Sequence, residues 1–333
     1  MFEFENKSRG ADLNKSIAIV YHYYERDFNY RDNLIYFLSV GILDEYDYYI
    51  VIAGQCTINI PKKENIFIIN TENKNNDYGG YSKFIKSQNI NKYNFFIFIN
   101  SSVRGPFLLS HSPSDWTSPF IEKLSGETHL VGSSINQLPT LNLHSKILEK
   151  HYAYPPPYVH VQTTSYALTA EALHHLISIG FYANDQLMSK PEVIALYELR
   201  LSREIIKNGW NISCVLPLYD SIDYRCDSDV PENHFAKNGN VLFQKGFLGR
   251  TLSPFELIFI KINRNMLSQE ELDSYTYTTL FNHSSKDSFQ ECGELLKSNQ
   301  ERLKKYAITR KKYQRIYKFL GIRKLITRML RVM

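Results

Sequence analysis

Apolar positions along this chain fall into short unbroken runs, separated by stretches with helical spacing. "SIAIVYHYY" (16–24), "YYIVIAG" (48–54), "NIFIINTEN" (65–73) and "NFFIFINSS" (94–102) are β-branched and aromatic runs of strand length. "YRDNLIYFLSVGIL" (30–43) instead sets Leu34, Phe37, Leu38 and Ile42 at helical intervals. Continuous runs suit strands covered on both faces, so the pattern predicts an α/β chain whose central sheet is mainly parallel and flanked by helices. Farther on, a helix is expected around Trp116–Leu124, a strand in "HLVGSSIN" (129–136), and a strand followed by a helix in "HVQTTSYALTAEALHHLI" (160–177). A long helix starts near Pro191 and stops at Gly209, and the strand "NISCVLPLY" follows it. Residues 220–252 read as loop, "SPFELIFIKINRN" (253–265) as either strand or helix start, and the chain is helical from about 288. We divide it into a nucleotide-binding domain, 1–270, and a C-terminal helical region, 271–333.

Two polar interruptions could carry chemistry. In "NKNNDYGGYSKFIKSQ" (73–88), Gly79 and Gly80 permit unusual backbone geometry, and a helix starting near Tyr81 would aim free N–H groups at an anion in that loop. The run "YNFFIFINSSVRGPFLL" (93–109) ends in Asn100, Ser101, Ser102, Arg104, Gly105 and Pro106, where a nucleotide-binding sheet often keeps its site. Neither G-x-G-x-x-G nor G-x-x-x-x-G-K-[ST] occurs, which removes the usual dinucleotide and P-loop cradles. A methyltransferase is disfavoured because no glycine-rich loop follows the first strand.

Composition adds three constraints. The chain is 43% hydrophobic and 22% charged, as expected of a folded globular protein. Its four cysteines are widely separated without a C-x-x-C pair, which fits a reduced, cytoplasmic protein. No secretory leader pattern and no apolar run of bilayer-spanning length is present, so export and integral insertion are not expected.

The net charge of +5 is unevenly distributed. Residues 302–333 contain twelve Lys or Arg and no Asp or Glu, leaving 27 basic against 34 acidic residues elsewhere. In "RIYKFLGIRKLITRMLRVM", Ile316, Phe319, Leu320, Ile326, Met329, Leu330 and Met333 share one helical face and the basic residues the other. The expectation is a basic amphipathic helix docking on an anionic membrane surface. Nucleic acid is not an expected partner, because no reader motif accompanies the charge.

In order, "NNDYGGYSKFI", "FFIFINSSVRGPFL", "HLVGSSIN", "HVQTTSYAL", "YELRLSREIIKNGWNI" and "SPFELIFIKINR" resemble bacterial glycosyltransferases of the rhamnan synthesis F type and related capsule and lipopolysaccharide enzymes. The resemblance covers residues 15–265, and the "FINSSVRGP" block is its most specific part. It implies a GT-A-like fold that transfers a sugar, rhamnose for the family's namesake, from a nucleotide sugar to a growing or lipid-linked surface glycan. The implied location is the inner face of the bacterial inner membrane. Where GT-A enzymes carry a metal-binding Asp-any-Asp motif, the corresponding positions here are Asn100 and Ser102. Neither is ionised, so metal independence is favoured, while Mg²⁺ or Mn²⁺ held with Asp77 stays open.

Under that resemblance the donor set is Asp77, Tyr78, Gly79, Gly80 and Lys83, together with Asn100, Ser101, Ser102 and Arg104. Glu198 is the candidate base that takes the acceptor proton, with Asp115 and Asp185 as alternatives. His160, Gln162 and Trp116 are candidate acceptor contacts. Asp32 and the Tyr23–Asp27 stretch follow the first strand, where a base and ribose commonly lie. His174 and His175 lack metal-ligand spacing. The competing reading is a non-catalytic, membrane-associated subunit that binds a glycan or nucleotide.

Overall fold

The computed structural model describes residues 16–109, 115–183, 185–226, 239–283 and 289–319. The last residues of the basic tail, 320–333, lie outside them, and with them most of the expected membrane-docking face.

Strands β1 (Ile17–Tyr23), β2 (Asp47–Ala53), β3 (Ile66–Thr71) and β4 (Phe95–Asn100) form one parallel block in the order β3-β2-β1-β4. Helix α1 (Phe28–Val40) follows β1 and α2 (Asp77–Ser87) follows β3. The two helices cover opposite faces. Tyr21 of β1 meets Phe37 of α1, whereas Phe98 of β4 packs on Tyr81 and Phe84 of α2. Side chains alternate across a strand, so the unbroken apolar runs of β1, β2 and β4 feed both layers. β3 departs from that expectation: it is the edge strand, and its Phe67 and Ile68 are exposed.

After β4 come β5 (Val103–Arg104), the single turn α3 (Ser118–Ile121), β6 (Thr128–Gly132) and β7 (Ile135–Leu138). Then follow α4 (Leu143–Tyr152), β8 (Tyr158–Val161), β9 (Ser165–Thr169) and α5 (Ala170–Ser178). The segments "HLVGSSIN" and "HVQTTSYAL", each read as one strand, are each broken in two. β6 and β9 enter the large sheet, while β7 and β8 pair as a separate ribbon above its edge. β9 runs antiparallel between β4 and β6, so its first residues meet the C-terminal ends of the parallel strands.

The expected long helix is present as α6 (Lys190–Val193) and α7 (Arg200–Lys207), joined through a wide π-type turn at Ile194–Leu199. Gly209, with φ +84°, ends it, and β10 (Asn211–Cys214) closes the sheet beside β6. "SPFELIFIKINRN" holds one helical turn, α8 (Pro254–Leu257), and then the short strand β11 (Ile260–Lys261), antiparallel to β5. The chain continues through α9 (Gln269–His283) and α10 (Gln290–Phe319), which pack on each other and on α1.

Candidate functional site

The chemistry-bearing residues gather at the C-terminal edge of the sheet, on the α2 side. His22 of β1 and Asn100 of β4 are register neighbours, and the Asn100 N–H donates to the Thr164 carbonyl just before β9 at 3.1 Å. α2 begins at Asp77, not near Tyr81, which puts the Asp77 carboxylate in its first turn. The Asn100 amide donates to Asp77 Oδ2 at 3.1 Å, and Asn100 Oδ1 accepts from the Ser102 N–H at 3.1 Å and hydroxyl at 2.6 Å. Pairing of β11 with β5 sets Lys261 opposite Val103, and the Ile262 N–H donates to the Ser102 carbonyl at 3.1 Å. From the other side, the π-type turn presents Glu198, whose carboxylate meets the Thr163 hydroxyl and the charges of Lys261, Asp77 and Arg264. π-type turns recur at functional sites because the widened backbone re-aims a side chain.

Burial dominates the electrostatics. It pushes the Glu198 carboxyl up to about 7, with Lys261 and Arg264 opposing and the Asp77 charge adding to the rise. Asp77 is raised by burial against its bond from Asn100, and Lys261 is lowered by burial against the pull of Glu198. Burial also takes His22 down to about 4, so it is neutral at physiological pH, and its Nε2 has no hydrogen-bond partner. Burial thus keeps the Glu198 carboxyl protonated to higher pH than a free carboxyl, with Lys261 and Arg264 opposing. Glu198 remains partly exposed, so it can exchange that proton with a bound group.

Several sequence-derived roles change in this geometry. Gly79 and Gly80 lie inside the first turn of α2 and serve close packing, not a loop cradle. A Cβ on Gly79 would fall 1.9 Å from the Lys74 carbonyl oxygen, and one on Gly80 would fall 2.3 Å from His22 Cδ2. Tyr78 stacks on Tyr197 at 4.6 Å and walls the cluster. Ser101 is buried and ties β4 to the end of β1 through the Tyr24 N–H and carbonyl.

Arg104 is not an open cation. It is fully buried and donates to Asn33 Oδ1 at 2.8 Å, Thr276 Oγ1 at 3.0 Å and the Asn29 carbonyl at 3.4 Å, with Asp32 and Asp273 as its counter-charges. Asp32 belongs to the same network through Arg302 at 3.4 Å, and Arg302 also bonds Asp273. These residues fasten α9 and α10 to α1 and face no cleft.

Asp115 and Trp116 lie at the opposite edge. Asp115 accepts from Thr117, Ser118 and the Tyr46 hydroxyl just before β2; these bonds outweigh its desolvation and hold it below the ordinary carboxylate range. With both oxygens occupied it anchors a turn and is no base for this site. Trp116 is completely buried against Phe37 and Phe259, with its indole N–H on the Gly41 carbonyl at 2.8 Å, so it presents no face to a sugar.

His160 and Gln162 are likewise interior. Burial lowers His160 to about 4, its Nδ1 lies 3.5 Å from the Tyr158 carbonyl, and neither residue opens onto an acceptor surface. Asp185 is on the surface with Lys86, and Lys83 lines a cavity on the outer flank of α2 together with Tyr78 and Gly79 of the expected donor set. His175 packs its edge on Trp210. In the stretch after β1, Asp27 caps α1, and Tyr23 joins Glu25, which also holds Thr57.

Four members of the cluster were missed: His22, Thr163, Lys261 and Arg264. Two had a visible signal, since His22 and Lys261 are lone polar residues inside apolar strand runs.

The oxygen groups here that could face a divalent cation are those of Asp77, Glu198, Asn100 and Ser102. Asn100 Oδ1 accepts twice from Ser102, Asp77 Oδ2 is engaged by Asn100, and the Lys261 ammonium lies near Asp77 and Glu198. Among the described residues no three His, Cys, Asp or Glu side chains are grouped to hold a metal.

No protein-family model and no curated protein matches this sequence. Among solved structures, the chain is similar to the 4-diphosphocytidyl-2C-methyl-D-erythritol synthase of Anaerococcus prevotii, at 12% identity and TM-score 0.37, over 65% of this chain and 93% of that one. It is also similar to a glycosyltransferase involved in glycosylation of the major capsid of PBCV-1, at 11% identity and TM-score 0.29, over 55% and 75% of the two chains. A third is the galactosyltransferase LgtC, at 7% identity and TM-score 0.33, over 60% and 72%. At these scores they give no residue-level correspondence.

Proposed function

We propose that this protein is a GT-A-like glycosyltransferase whose nucleotide-sugar donor sits at the C-terminal edge of the sheet and whose base is Glu198. The observation that carries this reading is the cluster itself: a partly exposed carboxyl tuned to about 7, beside Asp77, Asn100 and Lys261, at the sheet edge where α/β proteins bind nucleotides. Glu198 takes the acceptor hydroxyl proton as the new glycosidic bond forms and the nucleoside diphosphate departs with its bonding pair. A base with this affinity matches neutral pH. Lys261 and Arg264 are the cations available to the leaving diphosphate, the role first given to Arg104. Ser102 and Asn100 orient the donor by hydrogen bonds, without a metal.

The finer features rest on the resemblance and on charge. They are a deoxyhexose such as rhamnose as the donated sugar, a lipid-linked or growing surface polysaccharide as acceptor, and a cytoplasmic position on the inner membrane. The last is supported by α10, where Lys304, Lys305, Arg310, Lys311 and Lys312 are exposed alongside Ile308 and Tyr313.

A thermal-shift panel of UDP, GDP and dTDP, with and without EDTA, tests the donor assignment. One diphosphate should stabilise the protein equally in chelator, and Lys261→Gln should abolish the shift. Stabilisation that requires Mn²⁺ would overturn the metal-free site, and indifference to all three would overturn nucleotide binding.

A further inference from the structure

On the flank of α2 away from Asn100 lies a cavity of about 210 Å³. One stripe of the helix, Gly79, Ser82, Lys83 and Lys86, forms its floor. Lys74 and Asp185 also line it, and Tyr78 and Tyr197 close the side next to the catalytic cluster. Its scaffold is tied down: Asn75 bonds the Gln186 carbonyl at 2.8 Å and the Met188 N–H at 2.9 Å, and Ser82 bonds the Tyr182 carbonyl at 2.9 Å.

The lining sets three lysines, Lys74, Lys83 and Lys86, against two carboxylates, Glu72 and Asp185. Lys86 pairs with Asp185 at 3.0 Å and Lys74 donates to the Asp185 carbonyl. Among the described residues no carboxylate pairs with Lys83. Three ammonium groups against the two carboxylates leave the small recess with an excess positive charge, which with hydroxyls at Thr71 and Ser82 suits an anion that also carries hydroxyls. Tyr197 adjoins Glu198 on the π-type turn, so a group seated here bears on the segment that presents the base.

We infer that this cavity is a subsite for a monosaccharide unit bearing a carboxylate or phosphate monoester, belonging to the acceptor. Its acceptor role rests on the transferase reading, whereas its binding chemistry does not. The volume admits about one sugar ring, and Lys83 supplies the free charge.

Calorimetry on the full chain at low salt, with glucuronate, glucose 1-phosphate, inorganic phosphate and glucose, tests the inference. Glucuronate or glucose 1-phosphate should bind, and glucose should not. Lys83→Gln should weaken binding at least tenfold, while Lys63→Gln, a surface lysine elsewhere, leaves it unchanged. Glu198→Gln should retain sugar-anion binding even if it transfers nothing, which separates failure of the transferase reading from failure of this one. Binding of inorganic phosphate as tightly as the sugar anions would overturn the sugar assignment. Indifference to Lys83→Gln, or no binding of either sugar anion, would overturn the subsite.

Discussion

Replacing Glu198 with Gln keeps the shape of the protonated side chain and removes its titration. Burial raises the folded-state carboxyl from its ordinary 4.5 to about 7, so between those values the folded protein binds more protons than the unfolded chain. Stability contributed by this group is present in full below pH 4.5, falls as pH rises through about 7, and is lost above it. The full difference corresponds to about 3 kcal/mol. Lys261 and Arg264 lose a counter-charge in the variant, which trims the gain to about 1–3 kcal/mol at pH 8. For a chain of this length that is roughly 1–4 °C in Tm.

Chemical denaturation of wild type and Glu198→Gln at pH 4.5 and pH 8 measures it. The two proteins should be close at pH 4.5, and the variant should be the more stable at pH 8. Transfer by the variant should fall by about 10²–10⁴-fold. A variant less stable than wild type at pH 8, or one with the same pH dependence, would refute the claim that the partly exposed carboxyl at this turn is held near neutrality.

Other perturbations separate the site from its scaffold. Transfer should rise with pH through about 7, because the base must be ionised, and a rate profile flat between pH 5.5 and 8.5 would remove Glu198 from that role. Arg104→Met leaves Asn33 Oδ1, Thr276 Oγ1 and the Asn29 carbonyl without their donor, while Arg302 still pairs Asp32 and Asp273, and should cost about 1–3 kcal/mol in denaturation. Selective loss of diphosphate binding at unchanged stability would return Arg104 to the donor site. Gly80→Ala drives a methyl group into His22 and should destabilise by about 1–3 kcal/mol, read from the denaturation midpoint. Trp116→Phe should lower stability while KM for acceptor stays constant; a raised KM at unchanged stability would restore Trp116 to the acceptor surface.

The sheet was legible because period and composition carry it: the runs at 17–23, 47–53 and 95–100 are β-branched and aromatic, and Gly209 stops a helix where its left-handed φ requires. What failed was long-range. Sequence shows that Arg104 is a cation near the end of β4, yet only the packing of α9, 170 residues later, shows that Asn33 and Thr276 already hold it. Trp116 and Asp115 are chemically suited to a site but fold to the opposite edge of the sheet. Glu198 was named through the family resemblance, whereas Lys261 shows in the sequence only as a lone polar residue in an apolar run, and its place beside Glu198 comes from the β5–β11 pairing. The two glycines marked a close helix–strand approach, and sequence alone does not distinguish that use from a flexible loop.

Sugar transfer at the edge cluster requires a nucleotide sugar to be cleaved there in the presence of acceptor. Release of nucleoside diphosphate from a panel of UDP-, GDP- and dTDP-sugars, measured with lipid-linked glycan acceptors at pH 8, tests it most directly. Acceptor-dependent release is expected from one class of donor, insensitive to EDTA and at least a hundredfold lower with Glu198→Gln. Equal release by wild type and variant, or none from any donor and acceptor, would contradict it.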